Sequence, residues 1–128
     1  MGRFDADDTT TRHGNQAESC AARFLQKKGW LILARNFRCP GGEIDLICRD
    51  AKTLVFVEVR LRRHSGYGGA GASITRSKQL RLVHAARYYL ATQFKSEPPC
   101  RFDCVLLDQI SEDHIEWIRD AFSAPEST

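Results

Sequence analysis

Asp45 and Glu58 sit in two neighbouring stretches, Glu43 to Arg49 and Leu54 to Arg60, that both alternate between apolar and polar residues. The link between them, Asp50-Ala51-Lys52-Thr53, is short and polar, which predicts a β-hairpin. If the turn is centred on Ala51 and Lys52, Asp45 lies directly opposite Glu58, and Glu43 opposite Arg60. One hairpin face then carries Ile44, Leu46 and Cys48 against Val59, Val57 and Val55, and must be buried. The other carries Glu43, Asp45, Ile47, Phe56, Glu58 and Arg60. Directly opposed side chains approach to about 4.5–5.5 Å, and like charges there are destabilising. Two facing carboxylates need a compensating partner, either a shared proton or a divalent cation. Mg²⁺ or Mn²⁺ suits one or two carboxylates completed by water and phosphate oxygens. Such an ion polarises a phosphodiester and lowers the pKa of an attacking water. The competing reading makes Asp45 and Glu58 ordinary polar residues of a half-exposed sheet, paired with Arg60 and its neighbours. The unbroken run Leu54-Val55-Phe56-Val57 favours a central strand covered on both faces, with Glu58 at the edge of a core.

The charge distribution supplies a partner for that chemistry. No Asp or Glu occurs from Val59 to Ser96, while Arg60, Arg62, Arg63, Arg76, Lys78, Arg81, Arg87 and Lys95 all do. From Glu97 to the end there are eight acids and only Arg101 and Arg119 as bases. The formal net charge of +3 hides this asymmetry, which predicts one face suited to phosphates.

These groups need a scaffold. The chain has 128 residues, 42% of them hydrophobic and 27% charged, which fits one globular domain with a real core. No apolar run approaches the roughly 20 residues of a membrane helix. Met1 to Arg12 is polar and does not read as a signal peptide, so a cytoplasmic location without membrane attachment is expected. In that compartment the five cysteines are expected to be thiols. Cys100 and Cys104 lack a second close pair for zinc.

A first helix is predicted from Arg12 to Lys28, its apolar face formed by Ala17, Cys20, Ala21, Phe24 and Leu25, with Gly29 as its stop. A strand follows from Trp30 to Phe37, then a turn at Pro40-Gly41-Gly42 and the hairpin. Residues 64–72 are glycine-rich, with His64 and Tyr67 placed to touch phosphate or a base, but no P-loop pattern follows them. A long helix from Arg76 to Phe94 is capped by Ser73 or Thr75, and Pro98-Pro99 breaks the chain. Strands are predicted at Phe102 to Leu107 and Ile115 to Ile118, with Trp117 in the core and Asp103 either a strand-end hydrogen-bonding residue, the favoured reading because it falls in a different strand, or a further site acid. The order α-β-β-β-α-β-β gives an α/β fold, a mixed sheet flanked by helices. Residues 1–11 and 123–128 read as disordered tails around a single domain spanning 12–122.

Gly42-Glu43-Ile44-Asp45-Leu46-Ile47, Val55-Phe56-Val57-Glu58-Val59-Arg60 and Arg101-Phe102-Asp103 resemble the YraN-like family of small bacterial proteins. Ala17-Glu18, Ala21-Ala22, Arg35-Asn36-Phe37 and Lys78 extend the resemblance over roughly residues 12–120. It implies a restriction-endonuclease-like fold related to Holliday-junction resolvases, with Asp45 and Glu58 as the metal-binding acids. It also implies that Glu18 lies beside the metal, although Asn15-Gln16-Ala17-Glu18 reads equally as a helix-capping box. Arg60 stands where the nuclease motif has lysine. Arginine stays protonated and can steady a phosphate but cannot act as a base. Lys78 is either a plain surface cation in a first helical turn or an amine supplied from another direction.

The expected activity is a Mg²⁺- or Mn²⁺-dependent endonuclease acting on structured or branched DNA. Glu18, Asp45, Glu58 and Arg60 would be catalytic, and Arg62, Arg63, Lys78 and Arg81 would contact the nucleic acid. Junction enzymes of this fold are often dimers, which makes a homodimer a partner state to test. Two other readings stand beside this one: a non-catalytic nucleic-acid-binding module, and a protein-interaction subunit whose acids and arginines pair with each other.

Overall fold

A computed structural model describes residues 6–61 and 74–124, with side chains from Asn15 onward. The elements follow the predicted order: α1 (Ala6–Lys27), β1 (Leu31–Cys39), β2 (Gly42–Asp50), β3 (Thr53–Leu61), α2 (Arg76–Gln93), β4 (Cys100–Leu107) and β5 (Ile115–Phe122). A 3-10 turn, Glu112–His114, joins β4 to β5. The five strands form one sheet in the order β1-β2-β3-β4-β5. All neighbours are antiparallel except β3 and β4, which run parallel because α2 carries the chain across between them. This is the mixed sheet flanked by helices expected of a restriction-endonuclease-like chain.

Each helix covers one sheet face. Ala17, Cys20, Ala21 and Leu25 of α1 pack on Leu46, Cys48, Val55, Val57, Val105 and Leu107. Leu82, Val83, Ala85 and Ala86 of α2 pack on Ile44, Ile47, Leu54, Phe56 and Phe102. Strand β3 therefore has apolar residues on both sides, and Leu54, Val55, Phe56 and Val57 are all at most 1% exposed. Trp117 packs edge-on against Phe24 and Trp30 at the rim of the α1 layer.

Helix α1 starts at Ala6 rather than Arg12. Asn15 and Glu18 are then interior helical residues, which removes the capping-box reading of Glu18. Thr75 caps α2 as predicted, its hydroxyl accepting from the Lys78 amide at 3.1 Å. All five cysteines are free thiols. Burial pushes the buried Cys48 thiol up to about 12 and the partly buried Cys100 thiol up to about 11, away from the activated thiolate range.

Two close approaches fix α2 over the hairpin. A Cβ on Gly42 would collide with the Arg81 carbonyl oxygen and lie 3.0 Å from the Ala85 amide. The His84 ring donates from Nε2 to the Pro40 carbonyl at 2.8 Å, tying the β1–β2 turn to the helix. No described helix is long and apolar enough to cross a membrane.

Candidate functional site

The hairpin has the predicted register, with Leu46 opposite Val57, Ile47 opposite Phe56 and Cys48 opposite Val55. Its ladder stops at Leu46 and Val57, one residue short of the acids. Beyond that point the Val59 amide donates to Asp45 Oδ2 at 2.8 Å, so a side chain takes the place of a backbone acceptor. Strand β2 also changes phase at Asp45. Gly42 and Ile44 face α2, while Leu46 and Cys48 face α1. This corrects the expectation that Ile44 shares a face with Leu46 and Cys48. Regular alternation assumes unbroken pleating, and the pleat breaks where Asp45 leaves the ladder.

The neighbouring strand has a matching irregularity. Arg35 pairs with Leu46 and Phe37 with Ile44, which leaves Asn36 across from Asp45. Asn36 has φ 53°, a left-handed conformation that asparagine tolerates better than most residues. The pairing across the Pro40-Gly41-Gly42 turn holds the signal for Asn36, which belongs to no chemical motif of its own. The same is true of Arg35. Its guanidinium donates from Nη2 to Ser19 Oγ at 2.8 Å and lies 3.6 Å from Glu18 Oε1.

Three acids from three elements lie near enough around this kink to influence one another's charge. Glu18 of α1 is 4% exposed, and its Oε1 is buried with no hydrogen-bond partner. Burial raises its pKa first and the charge of Asp45 second, with Arg35 and Asn36 opposing. Burial likewise pushes the Asp45 carboxyl up to about 7, with the Glu58 charge adding to the shift and the Val59 amide working against it. Glu58 of β3 is 8% exposed. The charge of Glu58 beside Asp45 leaves the pair in need of a compensating partner, the condition that facing acids impose.

Cations approach Glu58 from two sides. Lys78 Nζ lies 3.5 Å from Glu58 Oε2, and Arg60 Nη1 lies 3.8 Å from the same oxygen. Lys78 thus reaches Glu58 from the first turn of α2, with its side chain still half exposed. Arg81, one turn further on, is exposed and lies outside this cluster. Arg62, Arg63, His64 and Tyr67 fall outside the described residues. Asp103 is 1% exposed but belongs to a separate network. It accepts from Arg101 Nε at 2.9 Å, Trp117 Nε1 at 2.9 Å and the Asp120 amide at 2.9 Å. That network satisfies the carboxylate and leaves it no task beyond bracing β4 against β5.

A family model described as "Uncharacterised protein family UPF0102" matches residues 17–107, which include Glu18, Asp45, Glu58 and Lys78. The chain belongs to the UPF0102 family. This bears out the YraN-like resemblance read from the motifs. A UPF0102 protein of Dechloromonas aromatica is 57% identical over 119 residues, covering 93% of this chain and 95% of its own. One from Nitrosomonas europaea is 54% identical over 109 residues, covering 85% and 92%. A UPF0102 protein of Methylobacillus flagellatus is 50% identical over 111 residues, covering 87% and 96%. The UPF0102 chain described above thus has relatives that match it over nearly their whole lengths.

Proposed function

We propose that this UPF0102 protein is a divalent-metal-dependent nuclease that cuts structured or branched DNA in the cytoplasm. The observation that carries the reading is the clustering of Glu18, Asp45 and Glu58 around a break in the sheet, with Glu18 Oε1 buried without a hydrogen bond and offset by the Arg35 guanidinium at 3.6 Å. A buried carboxylate oxygen without a donor costs free energy, and a cation removes that cost. Among the described residues, no three His, Cys, Asp or Glu side chains form a ready-made ligand set. Mg²⁺ and Mn²⁺ do not require one, because water and substrate phosphate complete their shell. Hard oxygen donors on Asp45 and Glu58 fit such an ion, and Glu18 faces them from α1. When bound, the ion would activate water and neutralise charge on the scissile phosphate.

The chain's own residues perform the remaining tasks. Asp45 holds its carboxyl in place through the Val59 amide. Glu58 is aligned by Lys78 and Arg60, whose charges offset its own until a phosphate arrives. Arg60 then faces the developing negative charge, a stabilising role that suits a permanently protonated guanidinium. Lys78 and Arg81 contact the neighbouring phosphates, with Arg62 and Arg63 as further contacts read from sequence.

Titration calorimetry with Mn²⁺ tests this reading on the native protein, Asp45→Asn and Glu58→Gln. Specific binding lost in both variants, with cleavage of a branched DNA lost alongside it, is the expected result. Equal cleavage by Asp45→Asn and the native protein would rule out this site. A second reading, a nucleic-acid-binding module without catalysis, is favoured by Arg60 in place of lysine and by the ion pairs that already engage Glu58. It predicts salt-sensitive binding with no cleavage under either metal.

A further inference from the structure

The outward face of α2 leads away from the acids and has the composition of a nucleic-acid track. Lys78 stands at its start, beside Glu58. Arg81, His84 and Tyr88 follow at spacings of three and four, so their side chains form one ridge. From Lys78 to Tyr88 the ridge runs about 15 Å along the helix axis, long enough for a few nucleotides. All of its members are exposed. No Asp or Glu occurs on α2, and no acid among the described residues pairs with Arg81. The positive end of the helix dipole adds to the attraction where the ridge meets the acids.

Tyr88 distinguishes this ridge from an ordinary basic helix face. It is 46% exposed, so much of its ring is open to a ligand. Its ring is held in place from behind by Phe37 of β1, with centroids 6.3 Å apart and planes tilted by 45°. Phe37 is itself fixed edge-on against Tyr89 at 5.3 Å. His84 in the middle of the ridge is held to Pro40, so the ridge and the β1–β2 turn form one rigid surface. A braced, exposed aromatic beside cations is the arrangement on which single-stranded bases stack. A base-paired duplex keeps its bases stacked on each other and has none to offer this ring.

We propose that α2 carries a single-stranded DNA segment away from the acidic site, with Lys78 and Arg81 on its phosphates and Tyr88 stacked on one of its bases. This rests on the nuclease reading and narrows its substrate to DNA with an unpaired strand next to the cut. The test is fluorescence anisotropy in EDTA, so that binding is read without cleavage. The probes are a fifteen-nucleotide thymine strand and a blunt fifteen-base-pair duplex, against the native protein, Tyr88→Ala, Tyr88→Phe and Arg81→Ala.

Tyr88→Ala is expected to weaken strand binding about tenfold, in the range that stacking on one aromatic supplies. Duplex binding should change less than twofold. Tyr88→Phe should retain strand binding, which separates loss of the ring from loss of the fold. Arg81→Ala should lower the salt slope of binding by about one unit on both probes. Strand binding unchanged in Tyr88→Ala, or a loss shared equally by strand and duplex, overturns the track. If only the track fails, duplex binding survives and the nuclease reading stands. If the native protein binds neither probe, both fall.

Discussion

Lys78 Nζ lies 3.5 Å from Glu58 Oε2, although twenty residues separate the two in the chain. Arg60, two residues from Glu58 on the same strand, is 3.8 Å away. The lysine that the nuclease motif would place on β3 is replaced by arginine, and an amine reaches the same carboxylate from α2. Lys78→Met should therefore cut the rate of DNA cleavage by tenfold or more. The half-exposed ion pair contributes only about 0–1 kcal/mol to stability. A gel assay with Mn²⁺ and a thermal melt on the same preparation separate the two effects. A large fall in melting temperature with cleavage retained would assign Lys78 a purely structural role.

The acid pair should make the metal-free protein sensitive to pH. The Asp45 carboxyl is pushed up to about 7 in the folded chain, against about 3.9 in an unfolded one. The folded state thus holds this proton more tightly. Below the unfolded value the group costs nothing, and stability falls as pH rises from there through about 7. Asp45→Asn keeps an acceptor for the Val59 amide and removes the titration. It should stabilise the metal-free protein by about 1–2 kcal/mol at pH 8, a figure discounted for partial solvation. The gain should shrink towards zero near pH 4. Urea denaturation at the two pH values measures it. A gain independent of pH would remove the buried charge as its cause.

The hairpin register, the double-sided burial of β3 and the Thr75 cap are all legible in the sequence. Each depends on local alternation or on a side chain a few residues from its partner. The phase change at Asp45 is not legible, because binary patterning assumes an unbroken pleat and Ile44 is equally apolar in either phase. Glu18 is ambiguous for a related reason. A capping box and an interior site acid have the same local sequence, and only the start of α1 at Ala6 separates them. The ion pair of Lys78 with Glu58 depends on how α2 docks, which Gly42 controls through contacts that no local pattern encodes. Asn36 is a middle case, since the turn at Pro40-Gly41-Gly42 fixes its position but not its left-handed backbone.

Asp45 and Asp103 use the same device to opposite ends. Each accepts a backbone amide at a break in its ladder, from Val59 and Asp120 respectively. Asp103 also receives Arg101 and Trp117, whereas Asp45 faces another carboxyl. Asp103→Ala should cost about 3–5 kcal/mol, because it strands a largely buried guanidinium and an indole donor. Mn²⁺ binding by the surviving folded fraction should be unchanged. Denaturant titration and calorimetry on the one variant give both numbers. Loss of metal affinity without loss of stability would move Asp103 into the site.

Gly42 controls the distance between α2 and the acids. Its missing Cβ lets the Arg81 carbonyl and the Ala85 amide come down onto β2, which sets the height of Lys78 above Glu58. The obstacle to a side chain here is helix backbone, which cannot swing aside as a flexible side chain would. Gly42→Ala should therefore force α2 outwards and cost about 1–3 kcal/mol, the usual penalty for overpacking. The Lys78–Glu58 contact should lengthen with it. On the nuclease reading, cleavage should then fall further than the loss of folded protein accounts for, since misplacement of a group at the site by an ångström is felt strongly in rate. Gly41→Ala, strained by its φ of 87° but facing only the His84 ring, is the control. It should lose stability while keeping activity per folded molecule. Equal losses of specific activity in the two variants would show that the height of α2 does not govern the site.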